Sequence, residues 1–242
     1  MSFQLRVATY NIHKCRGLDQ RTRPDRIARV ISELDADIVA IQEILDVQNG
    51  RPEFDQVRRL QLLLKANEGC FGENRPLHGG RYGNLTLSRF PVKLCENYDI
   101  SWKQRERRGC LRSDLILPGG TVLHVFNVHL GTGFTERRHQ ARMLLSDDVL
   151  NRRDYAGPKI VVGDFNEWTR GLASRLMGKA FQAGPPRRLL PYPRTYPGVF
   201  PVLHLDHFYY DHSLRLTSFR VHRSRTALLA SDHLPLVGTF EV

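Results

Sequence analysis

The chain has 242 residues, of which 41% are hydrophobic and 25% charged, the balance of a folded globular protein rather than a disordered tail. Its 36 Lys and Arg against 25 Asp and Glu give a formal charge of +11, and 30 of those cations are Arg. No apolar run approaches the ~18–20 residues of a membrane span, which excludes a helical transmembrane protein. Arg makes planar, bidentate contacts with phosphate, so the excess favours an anionic partner: nucleic acid, a phosphorylated small molecule or an anionic lipid surface. A GC-rich genome that writes Arg in place of Lys explains it as well.

The chain opens directly on a strand, Leu5 to Tyr10, without the basic and apolar regions of a signal peptide. Pro24 then suits the first turn of a helix, with Ile27, Val30, Ile31 and Leu34 at helical spacing behind it. Ile38 to Ile41 reads as a short buried strand and Val57 to Leu64 as a helix. Strands follow at Leu85 to Ser88, Lys93 to Tyr98, Leu111 to Leu117 and Thr121 to Leu130, the last two joined by the turn Pro118-Gly119-Gly120. Glu136 to Leu150 is a predicted helix and Lys159 to Val162 a buried strand. Strand-like runs return at Leu205 to Tyr210, Leu214 to Val221 and Leu236 to Val242. No repeat, linker or shift of composition divides the chain, so residues 1–242 are expected to form one domain of paired sheets with helices outside. Cys15, Cys70, Cys95 and Cys110 form no close pair and no CxxC, which suits free thiols in a reducing cytosol. The expected location is therefore the cytoplasm, with peripheral docking on a membrane left open.

Five segments place metal-competent polar residues at the ends of apolar strands: Thr9-Tyr10-Asn11-Ile12-His13, Gln42-Glu43, Asn127-Val128-His129-Leu130, Gly163-Asp164-Phe165-Asn166 and Ser231-Asp232-His233-Leu234-Pro235. Residues two apart in an extended chain share a face, which pairs Asn127 with His129 and Asp164 with Asn166. Oxygen ligands without clustered Cys describe a hard-cation site, for Mg²⁺ or Mn²⁺ rather than zinc. Singly, each segment is also an ordinary polar strand end or an Asx turn. Their weight comes from occurring together, in one order, each beside an apolar strand.

In that order the segments resemble the endonuclease/exonuclease/phosphatase (DNase I-like) superfamily, from Asn11 to His233. Asn11-Ile12-His13-Lys14, Gly83 to Arg89, Arg107-Arg108-Gly109 and Leu205-Asp206-His207 look like a small bacterial branch of unassigned substrate. The resemblance implies an α/β fold, a four-layer α/β/β/α sandwich of two packed mixed β-sheets flanked by helices. It also implies Mg²⁺-dependent cleavage of phosphoester bonds, with Mn²⁺ as a substitute. Carried over residue by residue, Glu43 is the main metal carboxylate, Asn11 its neighbour, and Asp232 lies beside the metal. Asp164 orients or deprotonates the attacking water, or shares in metal binding, and Asn166 holds the phosphate. His233 contacts the phosphate or takes the water's proton, oriented by Asp206. His129 is read as acid to the leaving oxygen or as a phosphate ligand, and argues against abasic-site repair. The carboxylate that would partner it is not identifiable in the sequence. Arg108, Asn84 and Asn127 are the remaining phosphate-binding candidates.

Between Gly184 and Leu203, Pro185, Pro186, Pro191, Pro193, Pro197 and Pro201 exclude a helix or a central strand. This segment also carries Leu189, Leu190, Tyr192, Tyr196 and Phe200 beside Arg187, Arg188 and Arg194, and is expected to shape the non-phosphate part of the substrate. The expected partner is an anionic phosphoester, with nucleic acid and an anionic lipid surface both open and no protein partner implied. A catalytically inactive scaffold would have lost one of Glu43, Asp164, Asp232 or His233, and all are present.

Overall fold

In the computed structural model, which describes residues 3–47, 55–66, 68–168, 171–185 and 193–242, the alternating sequence builds two six-stranded mixed sheets. The strands of the first half are β1 (Gln4–Asn11), β2 (Ile38–Asp46), β3 (Glu68–Leu77), β4 (Gly80–Ser88), β5 (Val92–Asp99) and β6 (Gly109–Ile116). Those of the second half are β7 (Val122–His129), β8 (Lys159–Asp164), β9 (Gln182–Gly184), β10 (Asp206–Tyr210), β11 (Arg215–Val221) and β12 (Leu236–Glu241). One sheet runs β11-β12-β1-β2-β4-β3 and the other β5-β6-β7-β8-β10-β9. The β1–β2 and β7–β8 pairs are parallel, so both sheets deliver the C-terminal ends of two neighbouring strands to one edge. The helices are α1 (Pro24–Leu34), α2 (Gln56–Leu64), α3 (Phe134–Leu144), α4 (Leu172–Ala180) and α5 (Arg225–Ala230). Among the described residues no helix is long and apolar enough to cross a membrane.

The period-two alternation explains the layers. Along β1 and β2, Leu5, Val7, Ile38 and Ala40 face the second sheet, where they meet Leu123, Val125, Ile160, Val162 and Phe208. Their neighbours Ala8, Tyr10, Val39 and Ile41 face outward onto Ile27, Val30 and Leu34 of α1 and Leu60 of α2. Phe126, Val128 and Val161 point out of the other sheet against Leu144 of α3 and Met177 of α4. Three apolar interfaces thus separate four layers, and the expected α/β/β/α sandwich is the observed one.

Two expectations are corrected. Cys70 and Cys95 form a disulfide with Cα atoms 5.7 Å apart, while Cys15 and Cys110 are free and buried. The bond joins β3 to β5, which lie at the edges of different sheets and meet only when the sheets pack, so spacing in the chain carried no sign of it. The cysteine argument for a reducing cytosol falls with that pairing. The helix expected to reach Leu150 stops at Leu144, because the chain turns back and the Leu150 amide donates to the Leu144 carbonyl.

Candidate active site

The inward-facing rows that are apolar in the middle of the sandwich turn polar toward one end. On β1 the row Leu5, Val7 continues as Thr9 and Asn11; on β2, Ile38 and Ala40 lead to Gln42. On β7 it reaches Asn127 and His129, on β8 it ends in Asp164, and on β10 it begins with Asp206. All these polar side chains are buried. Parallel pairing sets His129 opposite Asp164, and antiparallel pairing sets Asp206 opposite Asp164, so register alone converges three groups. Gly163 permits the approach: its φ is +146°, and a Cβ there would collide with the Val128 carbonyl oxygen.

Asp164 is the centre of the site. Its Oδ2 accepts a hydrogen bond from Asn11 Nδ2 at 3.0 Å and faces His129 Nε2 at 3.6 Å and His233 Nε2 at 3.7 Å. On the far side of His233, Nδ1 lies 3.0 Å from Asp206 Oδ2. Asn11 Nδ2 also donates to Glu43 Oε1 at 3.2 Å, while Lys14 Nζ donates to Glu43 Oε2 at 2.6 Å. Five non-glycine residues here carry left-handed backbone: His13, Lys14, Cys15, Glu43 and Asn166, with φ between 45° and 59°. Such conformations cost on the order of 1–3 kcal/mol each and persist because the surrounding structure over-determines them. Here the strained turn after Asn11 delivers Lys14 to Glu43.

Opposing environments separate the charges. Burial alone would lower His233, but Asp206 and Asp164 outweigh it and push the imidazole up to about 10, so it is a cation at neutral pH. His129 is pushed down to about 4 by burial and by the neighbouring Arg108 guanidinium. Because Arg108 Nη1 lies 3.1 Å from His129 Nδ1 and can only donate, His129 Nδ1 accepts and its Nε2–H points at the site. Burial raises the Asp164 carboxyl against the pull of both histidines. Burial would also raise Glu43, yet His129, Lys14 and Asn11 hold it well below the usual carboxylate range.

Several sequence-predicted residues spend their side chains otherwise. Asn127 donates to the Ile41 and Leu85 carbonyls, each at 3.1 Å, and accepts from Gln42 Nε2 at 2.8 Å. It clasps the two sheets together and keeps no hydrogen for a phosphate. Asn84 Nδ2 reaches the Gly109 and Asn127 carbonyls at 3.4 and 3.3 Å, and its buried Oδ1 has no hydrogen-bond partner. Arg108 is buried, held by His129 on one nitrogen and by Glu106 Oε2 at 2.9 Å on the other. Asn166 closes an Asx turn made by Asp164, its backbone amide donating to Asp164 Oδ1 at 2.8 Å, and its Nδ2 donates to the Leu130 carbonyl at 2.9 Å. Asp232 Oδ1 faces His13 Nδ1 at 3.5 Å and accepts from Ser231 Oγ at 3.3 Å.

Sequence reasoning passed over Lys14 as a partner of Glu43, because the contact depends on the left-handed turn. Tyr196, carried by the proline-rich segment expected to shape the substrate, sets its ring 5.0 Å from that of His233. Of the proline-rich segment, Pro186, Arg187, Arg188, Leu189, Leu190, Pro191 and Tyr192 lie outside the described residues.

The donor set fits a hard divalent cation. Glu43, Asp164 and Asp206 offer carboxylate oxygens, Asn11 has an amide oxygen that here accepts from the His13 amide at 3.1 Å, and neither free cysteine is among them. Asp164, Asp206 and His233 present one ligand atom each within 4.8 Å of one another. The Lys14 ammonium and the Asn11 amide hydrogens sit against the Glu43 and Asp164 oxygens, the positive charge that a bound cation would supply.

Comparison with known proteins bears on the family and the fold. A profile described as the Endonuclease/Exonuclease/phosphatase family matches residues 8–233. The uncharacterized protein YbhP of Escherichia coli (strain K12) is 30% identical over 243 residues, 97% of this chain and 95% of that protein. The crystal structure of an endonuclease/exonuclease/phosphatase from Bacteroides vulgatus superposes with a TM-score of 0.80 at 19% identity, over 99% of both chains. A mannosyl-6-phosphatase of Bacteroides thetaiotaomicron gives 0.78 at 18% identity, over 98% of this chain and 99% of that one. The two structural matches speak for the fold.

Proposed function

The chain belongs to the endonuclease/exonuclease/phosphatase family, and on that premise we propose that it is a Mg²⁺- or Mn²⁺-dependent phosphoric ester hydrolase. The observation that carries the reading is the buried line Asp206–His233–Asp164, continued through Asn11 to Glu43. One end is a cation fixed by a carboxylate and the other an oxygen-rich cluster that supports the metal reading.

Glu43 and Asn11, with Asp164 across from them, would hold the metal. When bound, it supplies charge stabilisation to the phosphoryl oxygens during in-line displacement. The protein's own groups divide the remaining work. Asp164, with its carboxyl raised by burial, accepts the proton of the attacking water. His233, held as a cation by Asp206, donates its Nε2–H to a phosphoryl oxygen and can protonate the leaving oxygen. His129 is neutral, and its Nε2–H adds a fixed hydrogen-bond donor. Asn166 keeps Asp164 in place from the next loop, and Arg108 orients His129. The water oxygen bonds to phosphorus, the ester P–O bond breaks, and the alcohol leaves with a proton.

The test is a screen at matched salt, with Mg²⁺, Mn²⁺ or chelator, against bis-p-nitrophenyl phosphate, p-nitrophenyl phosphate, plasmid DNA, single-stranded RNA, inositol phosphates and phospholipid vesicles. Metal-dependent release of p-nitrophenol that is lost in Glu43→Ala is the expected result. Equal activity in chelator, or in Glu43→Ala, overturns the assignment. The macromolecular arms distinguish a nuclease from a lipid-directed phosphodiesterase.

A further inference from the structure

Beside His233 the surface changes character. The segment Thr195 to Leu203 forms a tight hairpin in which the Thr195 and Tyr196 amides donate to the Leu203 carbonyl at 2.9 and 3.1 Å. The Val202 and Leu203 amides return to the Tyr196 carbonyl at 2.9 and 2.8 Å. Its tip nevertheless offers Val199, 65% exposed, Phe200, 76%, and Val202, 43%. Paired backbone at the base means that these side chains are held out by a formed turn, not by fraying. The hairpin is tied to the site: the Gly198 amide donates to the Asp232 carbonyl at 2.6 Å, and the Leu234 amide to that of Thr195 at 2.9 Å.

Two more exposed leucines continue this rim. Leu229 lies on α5, which runs straight into Ser231-Asp232-His233, and the Leu18 amide donates to its carbonyl at 3.1 Å. Cations are interspersed with them. Arg16 and Arg21 flank Leu18, Arg194 precedes the hairpin, and Arg223 and Arg225 precede Leu229, with Arg225 four residues back on the same helix face. All five are exposed, and among the described residues none is in an ion pair. The local acids are already engaged: Asp19 with Arg26, Asp25 with Arg23, and Asp232 with His13.

We propose that this rim docks the protein on an anionic phospholipid bilayer, so that the phosphoester of a lipid headgroup is presented to Asp164 and His233. The proposal rests on the phosphoesterase reading for its catalytic half only. Apolar side chains on a fixed turn, with exposed Arg near them and near Leu18 and Leu229 in the chain, match an interface whose surface is anionic and whose depth is hydrocarbon. Stacking on nucleic-acid bases requires aromatic faces, and four of the five exposed apolar residues are aliphatic. A second copy of the chain fits less well, because a two-fold contact would set these arginines against one another.

The experiment is co-sedimentation of the full chain with vesicles of phosphatidylglycerol and phosphatidylethanolamine, or of phosphatidylcholine alone, without added metal. Wild type should pellet with the anionic vesicles and remain soluble with the zwitterionic ones. The double variant Val199→Ser/Phe200→Ser should partition about tenfold more weakly, since burying two such side chains is worth more than the free energy of a tenfold change. Its hydrolysis of soluble bis-p-nitrophenyl phosphate should be unchanged, which also reports that it folds. Arg225→Glu should weaken anionic-vesicle binding without touching the hairpin. Wild type that stays in the supernatant, variants that bind as wild type does, or rim-dependent binding to single-stranded DNA in place of vesicles would each overturn the proposal. A dimer that the double variant dissociates, with no change in vesicle binding, would do the same. Vesicle binding with no turnover of any phosphoester would instead leave the docking surface standing and remove the catalytic reading.

Discussion

Asp206→Asn removes one negative charge 3.0 Å from His233 Nδ1 while preserving the size of the side chain. Both groups are buried, so solvent does not screen the loss. At an effective dielectric constant of about 20, a charge pair near 4 Å is worth about 4 kcal/mol, or roughly three pKa units. His233, pushed up to about 10 in the wild type, should therefore titrate near neutrality in the variant, at about 7. The sign follows from the direction of the shift. A histidine raised on folding adds stability that is fully present below its unfolded value of about 6.5 and disappears as the pH rises through its folded value. Wild type thus keeps the charged imidazole far into the alkaline range, and the variant, with no carboxylate beside it, loses that charge near pH ~7. If the cationic imidazole is the working form, the alkaline limb of kcat/KM for bis-p-nitrophenyl phosphate moves down by the same interval. Activity at neutral pH should fall about 10- to 100-fold, the cost of losing a group that orients a functional imidazole. The assay is a pH–rate profile with saturating metal, alongside an NMR titration of His233. A variant whose limb and titration coincide with those of wild type would refute the reasoning.

Other consequences are open to direct measurement. Lys14→Met removes the ammonium 2.6 Å from Glu43 and should tighten Mn²⁺ binding about tenfold by electron paramagnetic resonance; an unchanged affinity removes the competition inferred between Lys14 and a cation. Arg108→Gln takes away the largest influence, after burial, that pushes His129 down to about 4, so the histidine should titrate at least about one unit higher by NMR. No movement would detach Arg108 from His129. Reduction of Cys70–Cys95, which closes a loop with a separation of 25 residues, should cost about 3–4 kcal/mol and lower Tm by roughly 10 °C. A melt indifferent to reductant would mean that the bond contributes nothing to stability.

The layers were legible because alternation names its faces. Leu5, Val7, Ile38 and Ala40 mark the interface between the sheets, and Ile27, Val30 and Leu34 mark the helix that covers β1 and β2. Elements that escaped are those whose residues argue against their state. β3 contains Gly69, Gly72, Asn74 and Pro76 and survives as an edge strand paired only with β4. α4 carries Gly178, and α5 is only six residues long, too short for a periodic signal. α5 owes its helix to the sheet it packs on, whereas α4 does place Leu172, Ala173, Leu176 and Met177 at helical spacing, a signal held in the sequence.

The candidate site divides in the same way. Asn11, His129, Asp164 and His233 stand out in the sequence because polar residues that flank apolar strands lie at the rim of a core, a local property, whereas Glu43 stands inside β2, where the pairing with β4 shifts register. Their partners are not local. Asn127 looks identical to a ligand on the same strand face as His129, yet the opposite sheet supplies Gln42 and two carbonyls that occupy it completely. Arg108 reads as a phosphate contact, and only packing adds His129 Nδ1 and Glu106 to its partners, while Cys70 and Cys95 read as free thiols until two sheet edges meet. Which residues are candidates for the chemistry was therefore decided by side-chain type and strand period, quantities the chain holds within a few residues. Which of them hold one another, and in what protonation state, was decided only when two sheets closed, because hydrogen bonds, burial and charge coupling act between residues far apart in the chain.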